Sequence, residues 1–491
     1  MITMIPPVFT EILLFFGSIV ILLLDVFKVG VRHSSKYALI VLFCVALILV
    51  YPLSDGLSYE GLFLNSAYTT LIKLSVVGLT AFLILSMSQF IEKYPFNKAE
   101  HTVMILFMVT GVCVMVSSNH FIMLYVGMEI QALSAYTLTM MQRKSSFAAE
   151  AGVKYFILGS LASVVYLFGV SYIYGASGTL YFHALTEYAS VSTAMIGMVL
   201  ILSAFFFKLG LFPFHQWVPD VYQGASTPTT AILSKVPKVV GVAVLIRLLV
   251  GPFHDLLRES AFETVIGLIS ATSMIVGAVV PIVQTHLKRL LAYSAIGHMG
   301  FMLIGLYGLS ADGIAAAIAY VLIYGLTTIM VFVCMMSLKG KSMNSDELDD
   351  IDIHYLSGLA QVRPKHAFTL AVCFLSMAGV PPLIGFFPKL LLIQHALTSK
   401  AVVLTGVAVT TTIIGLFYYL RLIKLMYMDV PGKQVVQMHQ KLNKRLFLIF
   451  LPFILIQLLG CYIPVFQAVY QEAIMSAAKS IVLFSNEKNH L

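Results

Sequence analysis

FFFKLGLFPFHQWVPD, residues 205–220, places a lysine after a run of phenylalanines at the end of a long apolar segment, then interrupts that segment with Pro213 and Pro219. An ammonium group at mid-bilayer depth costs ~2.5–3.5 kcal/mol on insertion scales. Proline removes a backbone donor and clashes with the preceding turn, freeing carbonyls that lipid cannot satisfy. A charge and a break side by side are tolerated only where the segment lines a wet cavity or is buried in protein. The stretch therefore predicts a discontinuous transmembrane helix inside a polytopic membrane protein.

The rest of the chain agrees with that reading. Of its 491 residues 59% are hydrophobic and only 11% are charged, too little charge to cover a soluble surface. Residues 1–27 have no basic n-region and no small-residue cleavage site, so they are expected to stay as a first span. The five cysteines, Cys44, Cys113, Cys334, Cys373 and Cys461, lie singly in apolar segments. They form no CxxC pair or Cys/His cluster of the kind that holds zinc or an iron–sulfur centre, and are read as small core hydrophobes. No GxGxxG or Walker-type loop offers a seat to a dinucleotide or a nucleoside triphosphate. Cofactor and metal sites are thus expected to be absent from this chain, with any redox chemistry on other chains. The formal charge of +8 is scattered through short loops and spans with no basic domain, which excludes a nucleic-acid partner.

A crossing helix needs about 20 apolar residues. That measure marks about fourteen segments: 8–27, 36–53, 68–91, 102–118, 120–141, 151–174, 192–212, 229–250, 262–284, 290–308, 313–338, 366–396, 401–428 and 446–468. With the N-terminus outside, one set of loops holds Lys28, Arg32, Lys36, Lys93, Lys98, Arg143, Lys144, Lys288, Arg289, Lys339, Lys341, Arg363, Lys365, Lys433, Lys441, Lys444 and Arg445. The opposite set holds Arg258, Lys400, Lys479 and Lys488, so the positive-inside rule puts both termini outside a bacterial plasma membrane. The long polar connection 339–365 then falls in the cytoplasm. Its acidic run from Asp346 to Asp352 reads as a solvated surface, with a partner contact as the alternative.

A second interrupted segment, AGVPPLIGFFPKLLL (378–392), contains Pro381, Pro382 and Pro388 beside Lys389. Paired broken helices in corresponding positions point to inverted repeats with a site between them. The expected fold class is an all-α polytopic membrane protein with two inverted five-helix repeats, each containing a broken helix. The expected units are 1–101, the first three helices; 102–250 and 251–429, the two repeats; and 430–491, the last helix and tail.

Several ionisable groups fall within the apolar spans: Glu129, Lys154, Lys208, Lys238 and Lys389, with Lys73, Lys235 and Arg247 as secondary candidates. Intramembrane charges are rare and mark ion or proton pathways. Burial and an opposite charge act in contrary directions on a group's proton affinity, so a facing Glu129 and Lys208 tune one another. The competing readings are a static ion pair for Glu129, and snorkelling to the interface for Lys208 and Lys154. Lys235 and Lys238 share a helix face, and one of them is expected to be a relay member. His215, His286 and His298 have the chemistry of proton shuttles, although lone histidines in apolar surroundings also serve as hydrogen-bonded packing residues.

FKLGLFPFHQWVPDVYQGASTPTT (207–230), HLKRLLAYSAIGHMGFML (286–303), YVGMEIQALSAY (125–136) and AGVPPLIGFFPKLLL resemble the antiporter-like membrane subunits of bacterial respiratory complex I, the proton-pumping NADH:quinone oxidoreductase. The resemblance covers nearly the whole chain. It implies fourteen helices in two inverted repeats and a proton relay. In that relay Glu129 modulates Lys208, Lys154 sits near the pair, Lys238 connects the halves and Lys389 faces the outer exit, with His215 and His298 as further members. It implies NADH, FMN, iron–sulfur clusters and quinone in other subunits, neighbouring antiporter-like subunits and lipids as partners, and the inner membrane as location. Three positions depart from the family: Ser226 replaces a usual proline, Pro388 a usual glycine, and Lys235 is an extra charge. The alternative functions are a subunit of a multi-subunit cation/proton antiporter without redox coupling, a non-conducting structural spacer, and a stand-alone solute carrier.

Overall fold

Hydrocarbon offers no partner to a backbone N–H or C=O, so apolar runs that cross it close their hydrogen bonds internally as helices. The computed structural model describes residues 8–28, 33–51, 56–88, 90–91, 97–185, 188–258, 261–338, 352–431, 444–459 and 474–475. The first helices are α1 (Phe9–Val26), α2 (Ser34–Val50), α3 (Ala67–Met87), α4 (Lys98–Ser117), α5 (Phe121–Thr139), α6 (Ser146–Ser177) and α7 (Val191–Leu209). After them come α8 (Trp217–Gly224), α9 (Thr227–Leu233), α10 (Val236–Val250), α11 (His254–Arg258), α12 (Phe262–Val279), α13 (Leu287–Ile304) and α14 (Ala311–Leu338). The chain continues through α15 (Leu359–Val362), α16 (Pro364–Ala378), α17 (Phe386–Thr398), α18 (Val402–Met428) and α19 (Lys444–Leu459). A short hairpin, β1 (Gly56–Ser58) with β2 (Phe63–Asn65), joins α2 to α3.

Among the described residues, nine helices are long and apolar enough to cross a membrane. The remaining expected segments hold shorter, interrupted or less apolar helices: α2, α9 with α10, α13, α16 with α17, and α19. Residues 460–468 of the last expected span, Cys461, the acidic run from 346 to 351, and Arg32, Lys93, Lys339, Lys341, Lys433, Lys441, Lys479 and Lys488 lie outside the described residues.

Loops expected on one side of the membrane meet each other. On the outer side, the Asn119 amide reaches the Gly61 carbonyl at 3.0 Å and His183 at 2.7 Å, and the Tyr188 hydroxyl donates to the Pro252 carbonyl at 2.8 Å. On the inner side, Asn97 donates to Asp25 at 2.9 Å, Arg421 to the Ile282 carbonyl at 2.7 Å, and His286 bridges to Asp352.

Small residues let helices approach closely where no hydrophobic drive exists between them. In α4 and α5 a Cβ on Gly111 would stand 2.8 Å from the Gly127 carbonyl, and one on Gly127 would stand 2.9 Å from the Gly111 carbonyl. In α12 and α13 a Cβ on Gly277 would stand 2.3 Å from the Gly297 Cα. The opening helix pair of each expected repeat is thus joined through facing glycines.

The expected span 229–250 is interrupted. Pro237 has no N–H to give the Leu233 carbonyl, so α9 ends there and α10 restarts when Val239 bonds the Lys235 carbonyl at 2.9 Å. Two of the family departures also find local reasons. Ser226 caps α9, its hydroxyl donating to Thr229 Oγ1 at 2.8 Å, while Pro388 lies in the first turn of α17, where a missing N–H has no intrahelical partner to lose.

Candidate functional site

The first break forms because α7 ends on Gly210, whose φ of 71° favours glycine and whose Cβ would meet Val218 Cγ2 at 2.5 Å. The freed backbone groups find protein partners. The Trp217 indole donates to the Phe207 carbonyl at 2.9 Å, and the Phe212 N–H donates to the Ser273 hydroxyl at 3.0 Å. Lys208 is left in the last turn of α7, half-buried beside the break. His215, also half-buried, stacks on Phe212 in the same turn, ring centroids 5.3 Å apart.

Glu129 on α5 lies within electrostatic reach of Lys208, but no ion pair joins them among the described residues. The carboxylate instead accepts a hydrogen bond from the Ser163 hydroxyl on α6. The static-pair reading of Glu129 therefore lacks its contact. Lys154, expected near this pair, forms ion pairs of its own. Its ammonium is 2.8 Å from Glu150 and 2.9 Å from Asp220, at a half-exposed junction of α6 with α8. Arg289 from α13 binds the other oxygen of Asp220 at 2.7 Å, so that one carboxylate ties together cations from both expected repeats.

The α9–α10 interruption carries Lys235 and Lys238, which are 2% and 1% exposed, and neither Nζ has a hydrogen-bond partner among the described residues. Lys235 Nζ sits 3.4 Å from the centroid of the Tyr324 ring, and Lys238 Nζ 5.6 Å from that of Tyr222. Cation–π attraction offsets part of the desolvation of such groups.

In the second half His298 is held at both nitrogens. Nδ1 is 2.6 Å from the Tyr320 hydroxyl, and Nε2 is 3.1 Å from the Tyr419 hydroxyl, itself 2.5 Å from Ser294 Oγ. Its ring stacks on Tyr324 at 3.9 Å. Lys389 reaches back across the second break and donates to the carbonyls of Met377 at 3.1 Å and Ala378 at 3.0 Å. The C-terminal end of α16 favours a cation there. His298 and Lys389 share the walls of two cavities. One of ≈ 10 Å³ also involves Tyr320, Tyr324 and Ser376, and one of ≈ 20 Å³ involves Ser294, Thr411 and Tyr419. A water needs at least about 10–15 Å³, so the larger cavity has room for one solvent molecule and the smaller is at that limit.

Some charged groups escaped the sequence. Lys288, expected in a loop, is buried and donates to the Ala225 carbonyl at 2.8 Å. Glu11 and Lys73 form a buried ion pair at 2.6 Å between α1 and α3; Glu11 stands too near a span end to draw notice. The buried tyrosines on α14 read as plain aromatics, although Tyr320 and Tyr324 share a helix face. Removing one member of a buried pair costs ~3–5 kcal/mol because the other charge is stranded. Glu11→Gln is therefore expected to lower the thermal stability of the detergent-solubilised protein, and the double replacement Glu11→Leu with Lys73→Leu to restore most of it. Equal stability of Glu11→Gln and the original would show that the pair contributes nothing.

Among the described residues no group of His, Cys, Asp or Glu is placed to hold a metal ion. The family model described as NADH:quinone oxidoreductase/Mrp antiporter, TM, matches residues 118–415. NADH-quinone oxidoreductase subunit N of Paramagnetospirillum magneticum is 36% identical over 437 residues, covering 87% of this chain and 88% of the relative. A chain of respiratory complex I from Thermus thermophilus with bound aureothin superposes with a TM-score of 0.75 at 25% identity, over 95% of this chain and 99% of that one. A chain of an archaeal membrane-bound sulfane sulfur reductase reaches a TM-score of 0.86 at 23% identity, over 98% of each.

Proposed function

The chain belongs to the subunit N family of NADH-quinone oxidoreductases, and from that premise we propose the following division of labour. It is a membrane subunit of the proton-pumping NADH:quinone oxidoreductase and provides one proton path coupled to electron transfer in other subunits. NADH, FMN, the iron–sulfur clusters and quinone belong to those subunits. Its partners are neighbouring antiporter-like subunits and lipids, and its place is the bacterial inner membrane. Fourteen crossings form two inverted repeats, 102–250 and 251–429, a reading supported by the breaks after Lys208 and before Lys389 and by the facing glycines of α4–α5 and α12–α13.

The observation that carries the proton path is the pair His298 and Lys389, both buried and both lining two water-sized cavities. The path runs from Glu129 and Lys208 through Lys238 to His298 and Lys389. Lys154 and His215 stand at its margin, Lys154 held by Asp220 and His215 at the exposed side of the break. A charge change in an adjoining subunit moves the Glu129 carboxylate between Ser163 and Lys208. That shift changes the ammonium's hold on its proton. Moving one charge against 100 mV requires ~2.3 kcal/mol, and one pKa unit is ~1.4 kcal/mol, so a swing of about two units suffices.

The fold is shared with a chain of a sulfur reductase complex and the family description includes the Mrp antiporter. Fold alone therefore does not choose the enzyme; the relatives at 36% identity do. Gentle purification from native membranes, followed by identification of the companion chains, is expected to yield a large set including flavin and iron–sulfur proteins. A small set of membrane chains with sodium-dependent exchange would instead establish the cation/proton antiporter.

A further inference from the structure

Lys235 has no place in the expected path, and its surroundings are those of a working group. It stands at the non-helical joint between α9 and α10, with φ −129° and ψ −56°, 2% exposed, its Nζ without a hydrogen-bond partner among the described residues. A packing residue at such a site is better supplied by an apolar side chain, since an unpaired buried charge is the costliest occupant. Its partners lie across the interface on α14: the stem of Lys235 packs beside Gly325, where a Cβ would make an ordinary 3.9 Å contact with Lys235 Cδ, and the neighbouring Tyr324 takes the ammonium against its ring at 3.4 Å.

Tyr324 is in turn stacked on His298 at 3.9 Å, and its buried hydroxyl lies beside Ser294 and Thr328. The same tyrosine lines the cavity that His298 shares with Lys389. Lys235 is also within electrostatic reach of Lys238, and His298 within reach of Lys235, Lys238 and Lys389. Two ammonium groups a helical turn apart in one dry site repel each other. Charge on one of the two lysines therefore disfavours charge on the other.

We propose that Lys235 is a proton-carrying positioning residue that takes the proton from Lys238 and presents it, at the Tyr324 ring, to the cavity shared by His298 and Lys389. In the transfer one N–H bond breaks on the Lys238 ammonium and one forms on the Lys235 amine; a solvent molecule in the cavity then accepts that proton and hands it to the His298 imidazole. Lys235 leaves the cycle as the amine it began as. The inference rests on the proton path proposed above.

The test uses the intact complex reconstituted in vesicles, with NADH-driven proton uptake as the readout and subunit content and thermal stability as controls. Lys235→Met keeps the volume and removes the charge, and Lys235→Arg keeps a charge that cannot be released at physiological pH. Both are expected to lower proton uptake about fivefold or more, and Lys235→Met to leave stability equal or raised. Unchanged uptake in Lys235→Met overturns the proposal, and so does full uptake in Lys235→Arg, which would reduce Lys235 to a fixed charge. Should either variant fail to assemble, Lys235→His, which can take and release a proton, decides: uptake above that of an assembled Lys235→Gln upholds the proposal, and equal uptake overturns it. A parallel Lys208→Ala complex separates the two readings. If it still pumps, the underlying path fails; if it stops while Lys235→Met pumps, only the role of Lys235 fails.

Discussion

Lys208→Ala is expected to cut NADH-driven proton uptake by the reconstituted complex at least about tenfold, the effect of losing ~1.4 kcal/mol of drive. The complex itself should assemble with its full set of subunits. Lys208 sits in the last turn of α7 without an ion pair to Glu129, whose carboxylate keeps its hydrogen bond from the Ser163 hydroxyl when the lysine is removed. The break is held by Gly210, by the Trp217 indole on the Phe207 carbonyl and by Ser273 on the Phe212 amide, and none of these contacts involves the lysine. Loss of uptake without loss of assembly then isolates the proton-carrying role. A snorkelling lysine predicts the opposite, normal uptake, because its only work is to lift a charge out of hydrocarbon.

The second large effect is expected at Lys389. Its ammonium does two things at once: it satisfies the Met377 and Ala378 carbonyls at the end of α16, and it faces the cavities shared with His298. Alanine would remove both and leave buried acceptors unpaired, a penalty of ~1–3 kcal/mol. Lys389→Gln separates them, since an amide N–H still donates to those carbonyls but carries no proton. Proton uptake is expected to fall at least about tenfold while thermal stability changes by no more than about 1 kcal/mol. Near-normal uptake by Lys389→Gln would make the residue a helix cap and nothing more.

These two residues were legible in the sequence for a physical reason. A charge beside proline inside an apolar run is expensive wherever it points, so the pattern alone announces a break and a protected site. The alternation of loops rests on counts of Lys and Arg, because the positive-inside rule needs no contacts. What sequence could not supply was pairing in space. Lys154 reads as lying near the Glu129–Lys208 pair, and its spacing gives no sign of its ion pair with Asp220, a residue from the far side of the first break. Lys288 reads as a loop cation, yet the end of α8 draws it into the protein through the Ala225 carbonyl. Glu11 and Lys73 are invisible as a pair because nothing in their spacing brings α1 against α3. At the joint, Pro237 reads as loosening the turn between Lys235 and Lys238, and the structure goes further: the Leu233 carbonyl loses its partner and the segment divides into two helices.

The tyrosines of the second half show the same limit at finer scale. Tyr320 and Tyr419 satisfy His298 from α14 and α18, elements far apart in sequence. A histidine fixed at both nitrogens is rigid, and each ring nitrogen keeps a hydroxyl with which a proton can be exchanged. That arrangement reconciles the two readings open for His298, the hydrogen-bonded packing residue and the shuttle, since the same bonds serve both.

A water-resolving map of the intact membrane assembly examines the chain of buried groups most directly. Ordered solvent between His298 and Lys389, and in the space joining Lys208 to Lys238, is the predicted result. Dry side-chain packing in those places, with the ammonium groups sealed from one another, would contradict the proton path.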